Sequence, residues 1–196
     1  MDQKIAEIAE RICELRDVWG YSAAEMAEIA GVSEEEYALY EAGKKDFSFT
    51  FLYNIAEKLH VDLTELLTGE TPHLSAYSVI RSGEGLPIKR REGFEYYHMA
   101  YLVKEKIAEP FVVIAPYMPE NDTAPIHLNY HEGQEFDYIL EGSLRVRIDD
   151  SEFVLNEGDC FYYNSGHGHG MVATGGKPCR FLAVVMKKVQ NTERKN

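Results

Sequence analysis

The hydrophobic pattern of this chain changes from a helical period to a strand period near residue 68, and this change constrains the fold more than any other feature. In the first part, apolar residues recur at spacings of three and four, as Ile5, Ile8 and Ile12 show. In the second part, the apolar runs are short and are separated by Gly and Pro, which is typical of strands. A helical part followed by a strand-rich part predicts an α+β chain with two domains.

The boundary between these parts lies in the sequence Thr-Gly-Glu-Thr-Pro-His, whose composition is that of a loop. The second part contains many short strands, which indicate a sandwich or a barrel. We therefore predict a helical domain over residues 1–67, a linker over 68–75, an all-β domain over 76–189 and a flexible tail over 190–196.

Composition excludes several classes of protein. The chain has 196 residues, a formal charge of -13 and 45% hydrophobic residues, which is enough to build a buried core. Its cysteines, Cys13, Cys160 and Cys179, are odd in number and far apart, so neither a disulfide framework nor a thiolate zinc site is indicated. No apolar run approaches the roughly 18 residues of a membrane span. We expect a cytoplasmic protein that does not insert into membranes.

Three helix starts are marked by a capping side chain placed three residues before a carboxylate, a pattern that satisfies the free amides of a first turn. The pairs are Ser22 with Glu25, Ser33 with Glu36, and Asp62 with Glu65. Short helices separated by glycines are therefore predicted.

The stretch from Ser22 to Leu67 resembles the helix-turn-helix domain of the XRE (Cro/repressor-like) family. The residues that carry the resemblance are Ala27, Gly31, Val32, Ser33, Glu41, Gly43 and Leu66. The resemblance implies a five-helix, lambda-repressor-like bundle that binds DNA and regulates transcription. The candidate DNA-binding residues on the second motif helix and the turn after it are Glu34, Glu35, Tyr37, Lys44 and Lys45.

The charge of the helical part argues against tight DNA binding. Residues 1–70 contain 6 Lys plus Arg and 16 Asp plus Glu, whereas a DNA-docking domain needs a basic face. The would-be recognition helix begins with Glu34, Glu35 and Glu36, and only cytosine offers a donor that a glutamate can read. Carboxylates in a first turn also stabilise a helix dipole, so they have a structural explanation. We therefore predict DNA binding that is weak or depends on dimer geometry.

Two segments, Asn129 to Gly142 and Gly158 to His169, resemble the two motifs of the cupin family. The resemblance implies a jelly-roll barrel, also called a double-stranded β-helix, into which His and Glu side chains point. Positions 129, 131 and 135 share parity, so on an extended strand they face one side. The candidate metal ligands are His131, Glu135 and His169, with Asn129 at a position where the family has a His.

Two imidazoles and one carboxylate favour a divalent metal ion, with Fe(II) or Zn(II) as the leading candidates. A metal-free barrel that uses the same polar groups for a small ligand is the alternative. The candidate ligand-binding residues are Arg91, Tyr97 and Asp137. The basic run that ends at Arg91 suits an anionic ligand.

Phe136, Tyr138 and Leu140 alternate with the inward-facing positions of the same strand, and they form an outer apolar stripe that needs cover. Two-fold pairing is typical of helix-turn-helix proteins, so we expect a homodimer. Packing of the helical domain on its own barrel is the alternative.

The two resemblances together predict a transcriptional regulator whose barrel senses a small ligand. The layout also resembles the hydroxypropylphosphonic acid epoxidase family, which uses Fe(II) in an oxidation. Met99 and Gly20 depart from that family's substrate pocket, so its particular substrate is not expected here. Whether the chain is a regulator or a mononuclear metal enzyme, an epoxidase-like oxidoreductase whose helical domain does not bind DNA, stays open on the sequence alone.

Overall fold

The computed structural model describes residues 3–88 and 93–187, and the chain divides into two compact units. The helical unit comprises Met1–Glu95 with Ala100–Glu105. The β unit comprises Tyr96–Met99 with Lys106–Asn196. The predicted α+β class with two domains is confirmed.

The helical unit begins with the five predicted helices. Among the described residues, no helix combines the length and the apolar character that a membrane span requires. Their bounds are α1 Gln3–Trp19, α2 Ala23–Ala30, α3 Glu34–Glu41, α4 Phe49–Lys58 and α5 Leu63–Thr68. The starts of α2, α3 and α5 follow the predicted caps, of which Ser22 forms a complete capping box with Glu25. Ser48 caps α4 and was not predicted.

An aromatic cluster holds the helices together. Tyr37, Phe51, Ile55 and Leu66 are almost completely buried, and the ring centroids of Tyr40 and Phe51 lie 4.2 Å apart. Burial of each such side chain stabilises the fold by about 1.5–3 kcal/mol. The aromatic residues at the centre of this domain therefore include those of α3 and α4.

The helical unit continues past the predicted linker at 68–75. The N–H of Leu74 donates to the carbonyl of Leu102 at 2.9 Å, and the N–H of Lys104 donates to the carbonyl of Leu74 at 2.9 Å. A short strand, β1 (Leu86–Ile88), lines a small cavity together with residues of α1. Backbone hydrogen bonds and apolar contacts hold this segment, and composition alone did not reveal them.

The other eight strands build two antiparallel sheets. Their bounds are β2 Glu95–His98, β3 Ala108–Ala115, β4 Gln134–Glu141, β5 Ser143–Ile148, β6 Ser151–Asn156, β7 Cys160–Asn164, β8 His169–Thr174 and β9 Cys179–Met186. One sheet contains β2, β3, β9, β4 and β7 in that order, and the other contains β6, β5 and β8. The second part of the chain is thus built of many short strands, as the sequence predicted.

The register of the larger sheet makes buried residues on adjacent strands direct neighbours. In one row Glu109 pairs with Val185, Val185 with Glu135, and Glu135 with Tyr163. All four residues are buried. Because residues two apart on a strand share a face, Asp137 lies on the same buried face as Glu135. The sheet thus carries several ionisable groups on its inner side.

Candidate metal centre

Three side chains from distant parts of the chain converge inside the β unit. His131, Glu135 and His169 each offer a ligand atom, and these atoms all lie within 4.8 Å of one another. The Nε2 of His131 is 3.1 Å from Oε2 of Glu135, and the Nε2 of His169 is 3.9 Å from the same oxygen. All three residues are buried. The sequence named these three residues as candidate ligands, although His131 lies in the loop before β4 and not on an extended strand.

Backbone hydrogen bonds fix the two histidines. The N–H of His131 donates to the carbonyl of Ser165 at 3.0 Å. Asn129 and His169 exchange two backbone hydrogen bonds, of 2.7 Å and 3.0 Å. Asn129 therefore lies beside the cluster and joins the loop before β4 to the start of β8.

The orientation of each imidazole leaves its Nε2 facing Glu135. The Nδ1 of His169 lies 2.9 Å from the carbonyl of His167, and the Nδ1 of His131 lies 3.4 Å from the carbonyl of Glu132. Since a carbonyl oxygen only accepts, Nδ1 of His169 is the donor in its contact and Nε2 of His169 presents a lone pair. Nε2 of His131 lies within hydrogen-bond distance of Oε2 of Glu135. Two imidazole nitrogens and a carboxylate that converge in this way form the donor set of a cation site.

Burial at the cluster favours the neutral forms of His169 and of the neighbouring Asp137. Burial lowers the pKa of His169, although the charge of Glu135 opposes this shift. Burial, together with the charge of Glu135, raises the pKa of Asp137 well above its ordinary range. The pKa of Tyr163 is also raised well above its usual value, first by burial and then by Glu135. The neutral imidazole is the form that binds a metal ion.

Comparison with known proteins assigns both parts of the chain. Residues 9–72 match the model of a helix-turn-helix domain, and residues 116–185 match that of a cupin domain. The chain joins a helix-turn-helix domain to a cupin domain. This confirms the resemblance found in the sequence, together with the five-helix bundle and the barrel fold that it implied.

Solved structures share this layout. A crystal structure of an HTH_3 family transcriptional regulator from Vibrio cholerae is 18% identical, covers 95% of this chain and 98% of its own, and has a TM-score of 0.69. An FeII HppE structure is 21% identical, covers 93% of this chain and 100% of its own, and has a TM-score of 0.50. At these identities the likeness shows the fold. No curated protein matches the sequence.

Asp149 of the cupin domain holds the loop that leads to His169. It occupies the turn between β5 and β6 with a positive φ of 47°. Its N–H donates to the carbonyl of Gly168 at 2.7 Å, and its Oδ1 accepts from the N–H of Gly168 at 3.1 Å. Its Oδ2 lies 2.7 Å from Nδ1 of His167. Sequence reasoning missed Asp149, because nothing in the sequence shows that this turn meets the second motif.

A buried polar group of the β unit was also missed. Nε2 of His98 lies 2.6 Å from Oε2 of Glu109, and Nζ of Lys106 lies 3.7 Å from Oε1 of Glu109. All three residues are at least 91% buried, and His98 stacks on Phe111 at 4.8 Å between ring centroids. The only sign of this group in the sequence was a charged residue beside the apolar residues of β3. Such a buried group is costly unless every member is paired.

The candidate ligand-binding residues have different outcomes. Asp137 is fully buried two residues from Glu135. Tyr97 lies in β2 and is half-buried. Arg91 lies outside the described residues.

In the helix-turn-helix domain, Tyr37 is not available to DNA. Its side chain is fully buried and packs on Phe51 with ring centroids 6.0 Å apart. The choice of Tyr37 as a DNA contact is therefore wrong, because the residue belongs to the core. The motif identified the helix, whereas burial determines which of its faces is free.

The remaining DNA-binding candidates differ in their exposure and in their contacts within the domain. Glu34, Glu35 and Lys44 are exposed. Lys45 pairs with Glu36 and lies 5.2 Å from the ring centroid of Tyr40. The cation of Lys45 is therefore partly neutralised within its own domain.

We predict that Asp149→Ala loosens the loop before His169. The Gly168 amide would lose its charged acceptor, and its hydrogen exchange should become about tenfold faster, since a hydrogen bond to a charged group is worth about 1.5 kcal/mol or more. NMR-detected exchange on the metal-free protein measures this rate. The matched control is Asp150→Ala, which removes the neighbouring, fully exposed carboxylate. An unchanged rate at Gly168 in Asp149→Ala would contradict the assignment.

Proposed function

We propose that this protein is a transcriptional regulator that senses a small ligand at a divalent metal ion in its cupin domain and couples this to DNA binding. The observation that carries the proposal is the convergence of His131, Glu135 and His169 in a chain that also holds a helix-turn-helix domain. The similar fold of the Vibrio cholerae transcriptional regulator over nearly the whole chain supports it. A barrel with a ligand site and a DNA-binding domain are the two parts that such a regulator requires.

The residues fit a metal ion by their chemistry. Two neutral imidazoles and one carboxylate suit Fe(II) or Zn(II), and this set leaves coordination positions open for a ligand. Asn129 is adjacent and is the candidate for a further, weaker ligand. When bound, the metal would polarise an oxygen atom of the incoming molecule. The protein side chains bury the site, orient each Nε2 and limit the access of water.

Removing one ligand should release the metal. We predict that His131→Ala and Glu135→Ala each lower the bound metal at least tenfold while the fold is kept, because two remaining ligands hold a divalent ion poorly. Elemental analysis after dialysis against Zn(II) measures the content. His127→Ala serves as the control, since His127 is exposed and outside the cluster. Unchanged metal in both ligand variants would refute the site.

DNA binding by the helix-turn-helix domain should be weak in the wild type. Exposed Glu34 and Glu35 stand at the start of α3, the helix that enters the major groove in such domains. Each carboxylate near a phosphate opposes the counterion release that drives association. Tight DNA binding therefore requires a further contribution to the affinity for DNA, from ligand binding or from the geometry of a dimer.

Charge reversal on α3 tests this surface. We predict that the double variant Glu34→Lys with Glu35→Lys binds the DNA upstream of the gene for this protein about tenfold more tightly than the wild type does. The salt dependence of this binding should also become steeper. Fluorescence anisotropy at several salt concentrations measures both. Glu7→Lys with Glu10→Lys makes the same charge change on the exposed face of α1. If the two double variants gain equally, α3 does not dock on DNA.

A mononuclear metal enzyme is the second candidate function. The acidic start of α3 and the engaged Lys45 favour it, because both weaken the case for DNA. Two His and one carboxylate are also the ligand set of non-haem Fe(II) oxygenases. Iron-dependent oxygen uptake on addition of an organic acid, without DNA binding at any ligand concentration, would select the enzyme.

A homodimer is also proposed, formed through the outer face of the larger sheet. Tyr138, Leu140 and Tyr162 on this face are 39%, 38% and 56% exposed, which is unusual for a cluster of large side chains. A second copy would cover them by two-fold symmetry. Sedimentation velocity should give twice the chain mass, and Tyr138→Asp with Leu140→Asp should shift the protein to monomer. A wild type that sediments as a monomer at all concentrations would exclude this dimer.

A further inference from the structure

We propose that the end of the cupin domain opposite to the His131, Glu135 and His169 cluster carries a second binding site. This site takes a small zwitterion, a molecule with both an ammonium and a carboxylate group, such as an amino acid or a short peptide. The inference goes beyond the function proposed above and does not depend on a metal ion. It rests on a cavity with fixed walls whose lining side chains carry charges of both signs.

The cavity lies at the far ends of two strands that begin at the cluster. β4 runs from Gln134 to Glu141, and β8 runs from His169 to Thr174. Glu141 and Thr174 both line a cavity of about 680 Å³, a volume within the range of ligand sites. Glu141 follows Glu135 by six residues, which is about 20 Å along an extended strand. The cavity is therefore separate from the site of the metal ligands.

Hydrogen bonds fix the wall that the smaller sheet contributes. Ser143 pairs with Asn156 on β6 and with Thr174 on β8, and all three residues line the cavity. The hydroxyl of Ser143 donates to Oδ1 of Asn156 at 3.0 Å, and the hydroxyl of Thr174 donates to Oδ1 of Asp122 at 2.6 Å. The N–H of Asn156 donates to Oδ2 of Asp159 at 2.7 Å and holds the turn after β6. This wall exists without a ligand.

The turn between β4 and β5 lies directly against the segment before β9. Gly142 in this turn has a φ of +82°, and a Cβ there would lie 2.5 Å from the carbonyl oxygen of Pro178. Both the conformation and the contact require glycine. Ile114, Pro178 and the buried Cys179 add apolar surface to the cavity. The cavity is therefore preformed and partly apolar, as ligand sites usually are.

Charges of both signs line this cavity. Arg180 lies directly opposite Glu141 in the β4 and β9 pair, whereas Glu157 and Lys177 lie in the turns after β6 and β8. None of these four exposed side chains makes a hydrogen bond or an ion pair with any residue in 3–88 or 93–187. Opposite charges at directly opposed strand positions ordinarily pair with each other. Here a guanidinium and a carboxylate stay available to a ligand.

This arrangement selects a zwitterion. A guanidinium binds a carboxylate through two parallel hydrogen bonds, and a carboxylate accepts hydrogen bonds from an ammonium group. A ligand with a single charge satisfies only one of the two partners, Arg180 or Glu141. The two carboxylates and two cations of the lining also cancel, so no net charge of the cavity favours an anion or a cation. The apolar surface suits a small apolar side chain on the ligand.

An NMR titration of the metal-free, full-length chain with L-alanyl-L-alanine tests the site. Metal is left out because a dipeptide also chelates metal ions. The amide signals of Gly142 and Gly175, which line the cavity, should shift along a saturating curve. The signal of Gly168, next to His169, should not shift. N-acetyl-alanyl-alanine and alanyl-alanine amide, which each lack one charge, should bind about tenfold more weakly. A parallel titration with L-alanine shows which of the two ligand lengths binds more tightly.

Two variants test which side chain holds which end of the dipeptide. Arg180→Gln and Glu141→Gln should each bind it about tenfold more weakly, the effect of losing one hydrogen bond between charged groups. In Arg180→Gln the dipeptide and its amide should bind equally, because the partner of the carboxylate is gone. In Glu141→Gln the dipeptide and its N-acetyl form should bind equally. The controls Lys104→Gln and Asp150→Asn remove exposed charges outside the cavity and should bind as the wild type does.

Three results would overturn the proposal. One is the absence of a saturating shift at Gly142 and Gly175. Another is binding of the blocked forms as tight as that of the dipeptide, which would exclude a zwitterion as the ligand class. The third is an equal loss of affinity in the cavity variants and in the two controls. His131→Ala should bind the dipeptide as the wild type does, so failure of the metal site would leave this result standing.

Discussion

The antiparallel pairing of β4 with β7 and β9 is the constraint on which the site depends. A shift of one residue in this register would turn Glu135 from the buried face to the solvent face. Gly133 fixes the start of the pairing, because its φ is +109° and a Cβ there would lie 2.0 Å from the carbonyl oxygen of Met186. The spacing between His131 and Glu135 is therefore maintained by backbone contacts that do not involve a ligand.

The same pairing places polar side chains in the buried interior of the β unit. Glu109, Glu135 and Asp137 lie on one buried face of a single sheet, and burial of such groups is unfavourable unless each is paired. Apolar side chains such as Phe111 and Val185 fill the remaining inner positions. Their burial stabilises the fold and offsets the unfavourable free energy of burying the polar groups. A binding site built in this way sacrifices stability for recognition, which is common at functional sites.

The sequence was informative where the determinant is local. Capping residues such as Ser22 marked the helix starts, and the motif around β4 identified His131 and Glu135, whose side chains meet. Features that depend on distant pairing were missed, as with Asp149, which meets the loop before His169 only in the folded chain. Tyr37 was misassigned because the motif identifies its helix but not the face that the aromatic core covers.

Anomalous X-ray diffraction from crystals grown with Zn(II) or, without oxygen, with Fe(II) tests the central claim most directly. The account predicts one anomalous peak at about 2.0–2.2 Å from Nε2 of His131, Nε2 of His169 and a carboxylate oxygen of Glu135. Density that shows these three groups turned away from one another, with the metal bound elsewhere on the chain, would contradict it.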